Sequence, residues 1–170
     1  MKLNLGAGDR PPIPSFKTVD LFGKPNYKRD VRDLSIFKDN SIELIYASHV
    51  LGYFDREEVE DVLKEWYRVL EPGGTLRVAV PDFPKLVTVY YKAGLKAILG
   101  PLYGKMNGMY HKTVYDEQSL TEVLSKQFKN VRRYDWRGTI HRYHDDHSQA
   151  YFPHMNKQGI LISLNMEATK

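Results

Sequence analysis

The chain has 170 residues, of which 42 % are hydrophobic and 27 % are charged, which fits a single folded domain and argues against disorder. The absence of cysteine excludes disulfide bonds, thiolate metal sites and a cysteine nucleophile. The net charge of +4 is modest and its basic residues are scattered, so we expect no nucleic-acid partner. No apolar stretch reaches the roughly 18 residues of a membrane span and no signal-peptide core is visible, so we expect no membrane partner and a cytoplasmic location.

Short apolar segments in the first half predict strands over residues 2–5, 18–21, 41–46 and 75–80. A helix is predicted between the last two strands. Asp55 and Glu58 form a capping-box pattern at its start, and Pro-Gly-Gly at residues 72–74 is expected to end it. One face of this helix is apolar and carries Val59, Val62, Leu63, Trp66 and Leu70.

Strand, helix and strand in this order predict parallel neighbours in one sheet, because such crossovers are right-handed and return to the same sheet. Ligands bind beyond the carboxyl ends of parallel strands. The connections after Leu5, Leu21 and Tyr46 should therefore meet at one edge. This brings the sequence GAGD, the carboxylate of Asp20 and the pair Ser48-His49 to a common crevice.

The second half begins with a helical pattern over residues 83–99, which glycine and proline interrupt until about His111. A helix over 117–126, a strand over 130–136 and a final strand over 159–166 follow. The segment between those two strands is too long and too rich in histidine and aromatic residues to be a plain turn.

Two features of the first half suggest a nucleotide-like ligand, although each also has a plainer explanation. The glycines of LNLGAGD let the backbone approach a ligand, but they equally suit a simple turn. Pro11, Pro12 and Pro14 stand where a dinucleotide site would need a helix, which argues against that site. Asp20 could accept hydrogen bonds from ribose hydroxyls or serve only as a turn former.

In combination, the segments resemble the class I methyltransferases that bind S-adenosylmethionine, and in particular a compact branch of the type 11 group. The matching stretches cover about half the chain and read LNLGAGDRP, VDL, RDVRDLSIFKDNSIELIYASHVLGYF and EEVEDVLKEWYRVLEPGGTLRVAVPDF. The resemblance implies an α/β, Rossmann-like fold with a mostly parallel central sheet and an antiparallel last strand.

The chain departs from that pattern between its first three strands. Only eleven residues separate Gly8 from Asp20, and only nine separate Asp20 from Asp30. We therefore expect the helices that relatives carry there to be missing or reduced, which would leave the cofactor cleft more open. We expect a single domain over 1–170, with a cofactor-binding half over about 1–82, acceptor-side insertions over 83–158 and the final strand over 159–166.

The resemblance also implies roles for individual residues toward S-adenosylmethionine. Gly6, Ala7 and Gly8 would pass the methionine portion, and Asp20 would hold the ribose. Asp30 and the backbone of Val31 would meet the adenine, while Ser48 and His49 would border the methyl-transfer space. The cofactor-binding residues that this implies are Leu5, Gly6, Ala7, Gly8, Asp20, Leu21, Asp30, Val31, Ser48 and His49.

Methyl transfer needs a general base only when the acceptor must lose a proton. His49 is the first candidate, although it could equally hydrogen-bond the strand end, and His111 is the second. The cluster HRYHDDH at 141–147 has metal-binding residue types. We interpret it as a polar pocket wall or an acid-base group and predict no metal.

The function expected from the sequence is S-adenosylmethionine-dependent O- or N-methylation of a small-molecule or sugar-containing acceptor. A module that keeps the fold without catalysis is the alternative. A nucleic-acid-directed enzyme ranks below both, because ASHVL stands where relatives acting on nucleic-acid amino groups have Asn-Pro-Pro-Tyr. The oligomeric state stays open.

Overall fold

A computed structural model describes residues 1–104, 109–154, 156 and 158–170. The strands within this part of the chain are β1 (Lys2–Leu5), β2 (Phe16–Asp20), β3 (Tyr27–Lys28), β4 (Ile42–Ser48), β5 (Leu70–Pro81), β6 (Lys129–Arg133), β7 (Tyr151–Phe152), β8 (Ile160–Leu161) and β9 (Ser163–Thr169). The α-helices are α1 (Val59–Val69), α2 (Phe83–Ala93), α3 (Leu99–Tyr103) and α4 (Glu117–Ser125).

Seven strands form one sheet in the order β3-β2-β1-β4-β5-β9-β6. The pairs from β3 to β5 are parallel, whereas β9 runs antiparallel to both of its neighbours. The predicted fold class, with its antiparallel last strand, is confirmed. The final strand runs over 163–169 rather than 159–166, because the chain first pairs β8 with β7 in a small separate sheet.

The described residues before α1 contain no α-helix. Loops and turns alone connect β1, β2, β3 and β4, as the short spacing predicted. Because β1 is hydrogen-bonded to β2 on one side and β4 on the other, the chain reverses its direction of winding at β1. The loop after Leu5 emerges at that reversal, which is where open α/β sheets bind ligands.

The start of α1 shows only half of the predicted capping box. The carboxylate of Glu58 accepts the backbone N–H of Asp55 at 3.0 Å, but the Asp55 carboxylate accepts from Glu57 at 3.2 Å. The helix ends at Val69, because Leu70 adopts extended backbone with ψ 138° and begins β5. The Pro-Gly-Gly sequence at 72–74 therefore lies inside β5 and does not terminate the helix.

The two faces of the sheet differ in chemistry. Alternate strand residues, among them Leu5, Ile45 and Val78, pack in the main core with α1 and α4. The intervening residues, such as Asn4, Tyr46 and Asn165, are polar or amphipathic and buried. Residues 10–16 and the linker over 134–150 cover this second face, where Tyr46 packs with Ile13 and contacts the linker.

Candidate functional site

The glycine loop after β1 has two residues in the left-handed region. Gly6 has φ +68°, and a Cβ there would overlap the Val50 side chain, so this position requires glycine. Gly8 has φ +62°, but a Cβ there would meet nothing within 4 Å. The backbone at Gly8 therefore borders open space at the carboxyl edge of the sheet, next to Leu5 and Ala7.

Asp20 ends β2 and ties two loops together. Its Oδ2 accepts the Gly8 N–H at 2.7 Å, and its Oδ1 accepts the Phe22 N–H at 2.8 Å. The side chains of Leu21 and Phe22 beside it are about half exposed, at 46 % and 53 %. The sequence reasoning missed Phe22, and its only signal was a second apolar residue where a turn would favour polar ones. Together these groups offer a carboxylate and an apolar surface beside the glycine loop.

Asp30 lies in the turn after β3 and is engaged by Arg32. The guanidinium donates to Asp30 Oδ2 at 2.6 Å and 3.0 Å, and the Arg32 N–H donates to Oδ1 at 2.9 Å. Burial alone would raise the pKa of Asp30, but these hydrogen bonds outweigh it and leave the pKa below its usual value. The carbonyl of the adjacent Val31 accepts the indole N–H of Trp66 at 2.8 Å. Of the predicted adenine contacts, the Asp30 carboxylate and this carbonyl thus already have partners within the chain.

Ser48 and His49 end β4 and contact the linker. Ser48 Oγ donates to the carbonyl of Asp146 at 2.7 Å. His49 has φ +56°, and its Nε2 lies 3.2 Å from the carbonyl of His147 and 3.3 Å from Ser163 Oγ. Because a carbonyl only accepts, Nε2 carries the proton and Nδ1 is left as the acceptor of the neutral ring.

Burial lowers the pKa of His49 to about 3, with further contributions from His147, His111 and Arg10. The ring is therefore neutral at ordinary pH. A base whose conjugate acid has so low a pKa takes up a proton only weakly. His49 can accept a hydrogen bond at the end of β4, but it is a poor general base.

The second predicted base, His111, packs against the turn that follows β4. Its ring lies 4.6 Å from that of Tyr53, and its backbone N–H donates to the carbonyl of Tyr103 at 3.0 Å. Burial lowers the pKa of His111, and the carbonyls of Pro101 and Leu102 oppose that shift. The structure thus brings His49 and His111 to neighbouring segments and leaves both rings uncharged.

Comparison with known proteins shows which families and solved structures this chain is similar to. Residues 17–78 match the family model described as a methyltransferase domain, a range that includes Asp20 and His49 but not the glycine loop. None of the curated proteins matches the sequence. Solved structures that resemble the chain include S-adenosylmethionine-dependent methyltransferases from a bacterium and two archaea.

The first, from Thermotoga maritima and titled a possible histamine N-methyltransferase, has a TM-score of 0.64 at 18 % identity, over 99 % of this chain and 81 % of its own. The second, from Archaeoglobus fulgidus, has a TM-score of 0.61 at 15 % identity, over 99 % and 85 %. The third, from Methanosarcina mazei, has a TM-score of 0.59 at 16 % identity, over 99 % and 91 %.

The chain has the class I methyltransferase fold. The resemblance to the type 11 group that its sequence predicted is confirmed. Within the described residues of this methyltransferase-fold chain, no helix is long and apolar enough to cross a membrane.

Residues 141–148 of the linker lie against the residues that end β4. Tyr46 Oη donates to the buried Asp146 carboxylate, which also accepts the Ser148 N–H at 3.1 Å. The His141 ring stacks on Tyr46 with centroids 4.0 Å apart. The linker of this methyltransferase fold is thus anchored to the polar face of the sheet through Tyr46.

Arg10 connects the glycine loop to the same linker. Its Nη2 donates to His147 Nε2 at 2.9 Å, and burial together with the charge of Arg10 lowers the pKa of His147. An open depression of about 350 Å³ lies beside this contact and is lined by Gly8, Asp9, Arg10, Gly23 and Lys24. The sequence reasoning missed Arg10, since nothing in the residue pattern links it to a histidine 137 positions away.

The histidine-rich cluster does not form a metal site in the part of the chain that the structure describes. No three histidine, aspartate or glutamate side chains there are placed to hold an ion. His141 instead faces Tyr46, His147 faces Arg10 and Asp146 anchors the linker. The cluster is therefore spread over the sheet face and does not converge on one point.

Proposed function

We propose that this chain is a cytoplasmic enzyme that transfers a methyl group from S-adenosylmethionine to an oxygen or nitrogen atom of a small-molecule or sugar-containing acceptor. The observation that carries the proposal is the Gly8–Asp20 pair at the winding reversal of a parallel sheet. There a glycine backbone borders open space and a β2-terminal carboxylate lies directly behind it.

The residues at this edge fit the donor in size and chemistry. The open space at Gly8 suits the methionine portion, and Asp20 has lone pairs beyond those used by Gly8 and Phe22 for ribose hydroxyls. Leu21 and Phe22 offer apolar surface to a purine ring. An adenine contact from Asp30 would compete with Arg32. When bound, the donor supplies a sulfonium-activated methyl group.

The neutral histidines favour a mechanism in which the site aligns the donor and the acceptor, rather than one in which a histidine removes a proton. His49 and His111 can orient an acceptor through hydrogen bonds, but neither holds a proton readily near neutral pH. Acceptors whose nucleophile needs no strong base therefore suit the site best. A neutral amine and an already ionised oxygen both meet that condition.

A binding module without catalysis is the second candidate, and one observation favours it. The oxygens of Asp20 and Asp30 are already engaged by groups of the chain itself. If those hydrogen bonds persist, the two carboxylates stabilise the loops and do not bind a cofactor.

Calorimetric titration with S-adenosylmethionine and with S-adenosylhomocysteine tests the proposal. We expect micromolar binding that weakens by about tenfold or more in Asp20→Asn, since hydrogen bonds to a charged group are worth about 1.5 to 3 kcal/mol. Asp135→Asn is the matched control, because Asp135 likewise accepts a backbone N–H, and its carboxylate bonds Arg137 rather than any residue of the proposed donor site. Undiminished binding by Asp20→Asn would contradict the proposed donor site.

Transfer of a radiolabelled methyl group to a panel of amines, carboxylates and sugars separates the two candidates. Product formation with any acceptor supports the enzyme. Weak or absent donor binding, together with no product across the whole panel, supports the module.

A further inference from the structure

The segment between Asp82 and Asp116 contains no acidic residue. Residues 83–115 carry five lysines and no aspartate or glutamate, in a chain that otherwise mixes both signs. Lys85, Lys92 and Lys96 are exposed, and none of the three makes an ion pair with any residue that the structure describes. This part of the chain therefore presents uncompensated positive charge.

The same segment exposes large apolar side chains. Tyr91 is 82 % exposed and Leu95 is 55 % exposed, and Tyr90, Leu99 and Tyr103 are each exposed by 38 % or more. Its inner side is different, because Leu86, Val89 and Ile98 are buried with Ile162. Residues 83–103 thus have an inner face that packs on the protein and an outer face where aromatic and aliphatic groups alternate with lysines.

We propose that the outer face of residues 83–103 docks on the surface of an anionic lipid bilayer. Tyrosine and lysine are both favoured at the boundary between headgroups and acyl chains, and an amphipathic helix lies there in the plane of the surface. Lysines next to an anionic leaflet add attraction that falls off with salt.

Charge and apolar area together favour this occupant over others. A nucleic acid would attract the lysines but would leave Leu95 and Leu99 without apolar partners. A second copy of the chain would place the unpaired lysines of two equal faces against each other. A bilayer containing anionic lipid satisfies both kinds of side chain at once.

The position of the surface relates it to the candidate site. α2 begins two residues after β5 ends at the carboxyl edge of the sheet, and the carbonyl of Tyr103 accepts the N–H of His111. A docked bilayer would therefore lie beside the carboxyl edge of the sheet, where the candidate site is. The sequence-based expectation of no membrane partner considered spanning segments only, and a surface contact is a different mode of binding.

Co-sedimentation with phospholipid vesicles tests the inference without relying on methyl transfer. We expect the protein to pellet with phosphatidylcholine vesicles that contain about one third phosphatidylglycerol, and much less with phosphatidylcholine alone or at high salt. The triple variant K85Q/K92Q/K96Q should bind more weakly by a factor on the order of 100, since each of the three lysines contributes about fivefold. The triple variant K17Q/K38Q/K129Q removes the same charge from exposed positions elsewhere and should bind almost normally.

A second variant, Y91S/L95S, tests the apolar part of the surface and should also reduce pelleting. Thermal unfolding and S-adenosylhomocysteine titration of every variant report whether the fold and donor site are intact. Equal losses in the two lysine triples would overturn the proposal, as would wild-type protein that stays in the supernatant. A concentration-dependent dimer that Y91S/L95S dissociates, with no vesicle binding, would instead assign this face to a second copy.

Discussion

Gly6 and Gly8 share a left-handed backbone, but their neighbours differ. Gly6 lies against Val50, whereas Gly8 borders open space. Replacement by alanine therefore adds backbone strain at both positions and a steric overlap at one only.

Gly6→Ala should lower the free energy of unfolding by about 2 to 4 kcal/mol, and Gly8→Ala by about 1 kcal/mol. Urea denaturation of the two variants measures the difference. Gly8→Ala should in addition weaken donor binding, because its methyl group enters the open space. Equal destabilisation by the two substitutions would contradict the overlap with Val50.

His141 is buried without a hydrogen-bond partner for either ring nitrogen among the residues described. Burial lowers its pKa to about 3, with a contribution from the charge of Arg77. The unfolded chain has the ordinary histidine pKa near 6.5, so it binds the proton first. The titration of His141 therefore costs no stability above about pH 6.5 and progressively opposes folding as the pH falls from about 6.5 toward 3.

His141→Phe should keep the stacking on Tyr46 while removing the titrating group. We expect equal or higher stability at pH 7.5 and a smaller loss of stability between pH 7 and pH 4.5 than in the wild type. Urea midpoints at several pH values measure this. An unchanged pH dependence in His141→Phe would contradict this role of His141.

At the scale of elements, the linker over 134–150 is attached to the polar face of the sheet at several points. Its attachment runs through Tyr46, whose hydroxyl donates to Asp146, and through the two carbonyls that receive Ser48 and His49. Burial raises the pKa of Tyr46, as does the adjacent Asp146 charge, so the hydroxyl remains a donor. The linker thereby fixes the orientation of His49.

Tyr46→Phe should remove the donor to a buried carboxylate and cost about 2 to 3 kcal/mol of stability. Hydrogen exchange should accelerate in residues 144–150, because this part of the linker loses an anchor. Tyr143→Phe is the control, since Tyr143 belongs to the same linker and is 87 % exposed. Unchanged exchange in Tyr46→Phe would show that other contacts hold the linker.

The elements that the sequence predicted well are those with a clear local pattern. Apolar alternation located β1, β2, β4 and β5, and apolar periodicity located α1 and α4. The position of Asp20 at a strand end placed it correctly beside the glycine loop. Contacts between distant residues had no local signal, as with Tyr46 and Asp146, which are 100 positions apart. The pairing of Asp30 with Arg32 was missed because charge alone does not reveal which partner a carboxylate selects.

At the scale of the whole molecule, the central strands carry most of the buried contacts. β1, β4 and the second half of β5 are mostly buried on both faces and have strands on both sides, whereas β3 and β6 lie at the two edges. β9 is also internal, with five of its seven residues buried.

Native-state hydrogen exchange should therefore show the slowest amides in β1, β4, β5 and β9, and faster exchange in β3 and β6. Mass spectrometry of peptic fragments resolves these segments. Exchange of β9 at the rate of β6 would contradict its role as an internal strand.

The place of β9 also bears on how the chain folds while it is being made. Translation delivers β1, β2 and β4 early, together with the glycine loop and Asp20, so the donor-facing end of the sheet is synthesised first. β5 then has one unpaired edge, and β6 has no partner strand, until β9, which lies between them in the sheet, leaves the ribosome. The edge of β5 thus stays unpaired while residues 82–162 are synthesised, and the last sheet strand to emerge pairs with both β5 and β6.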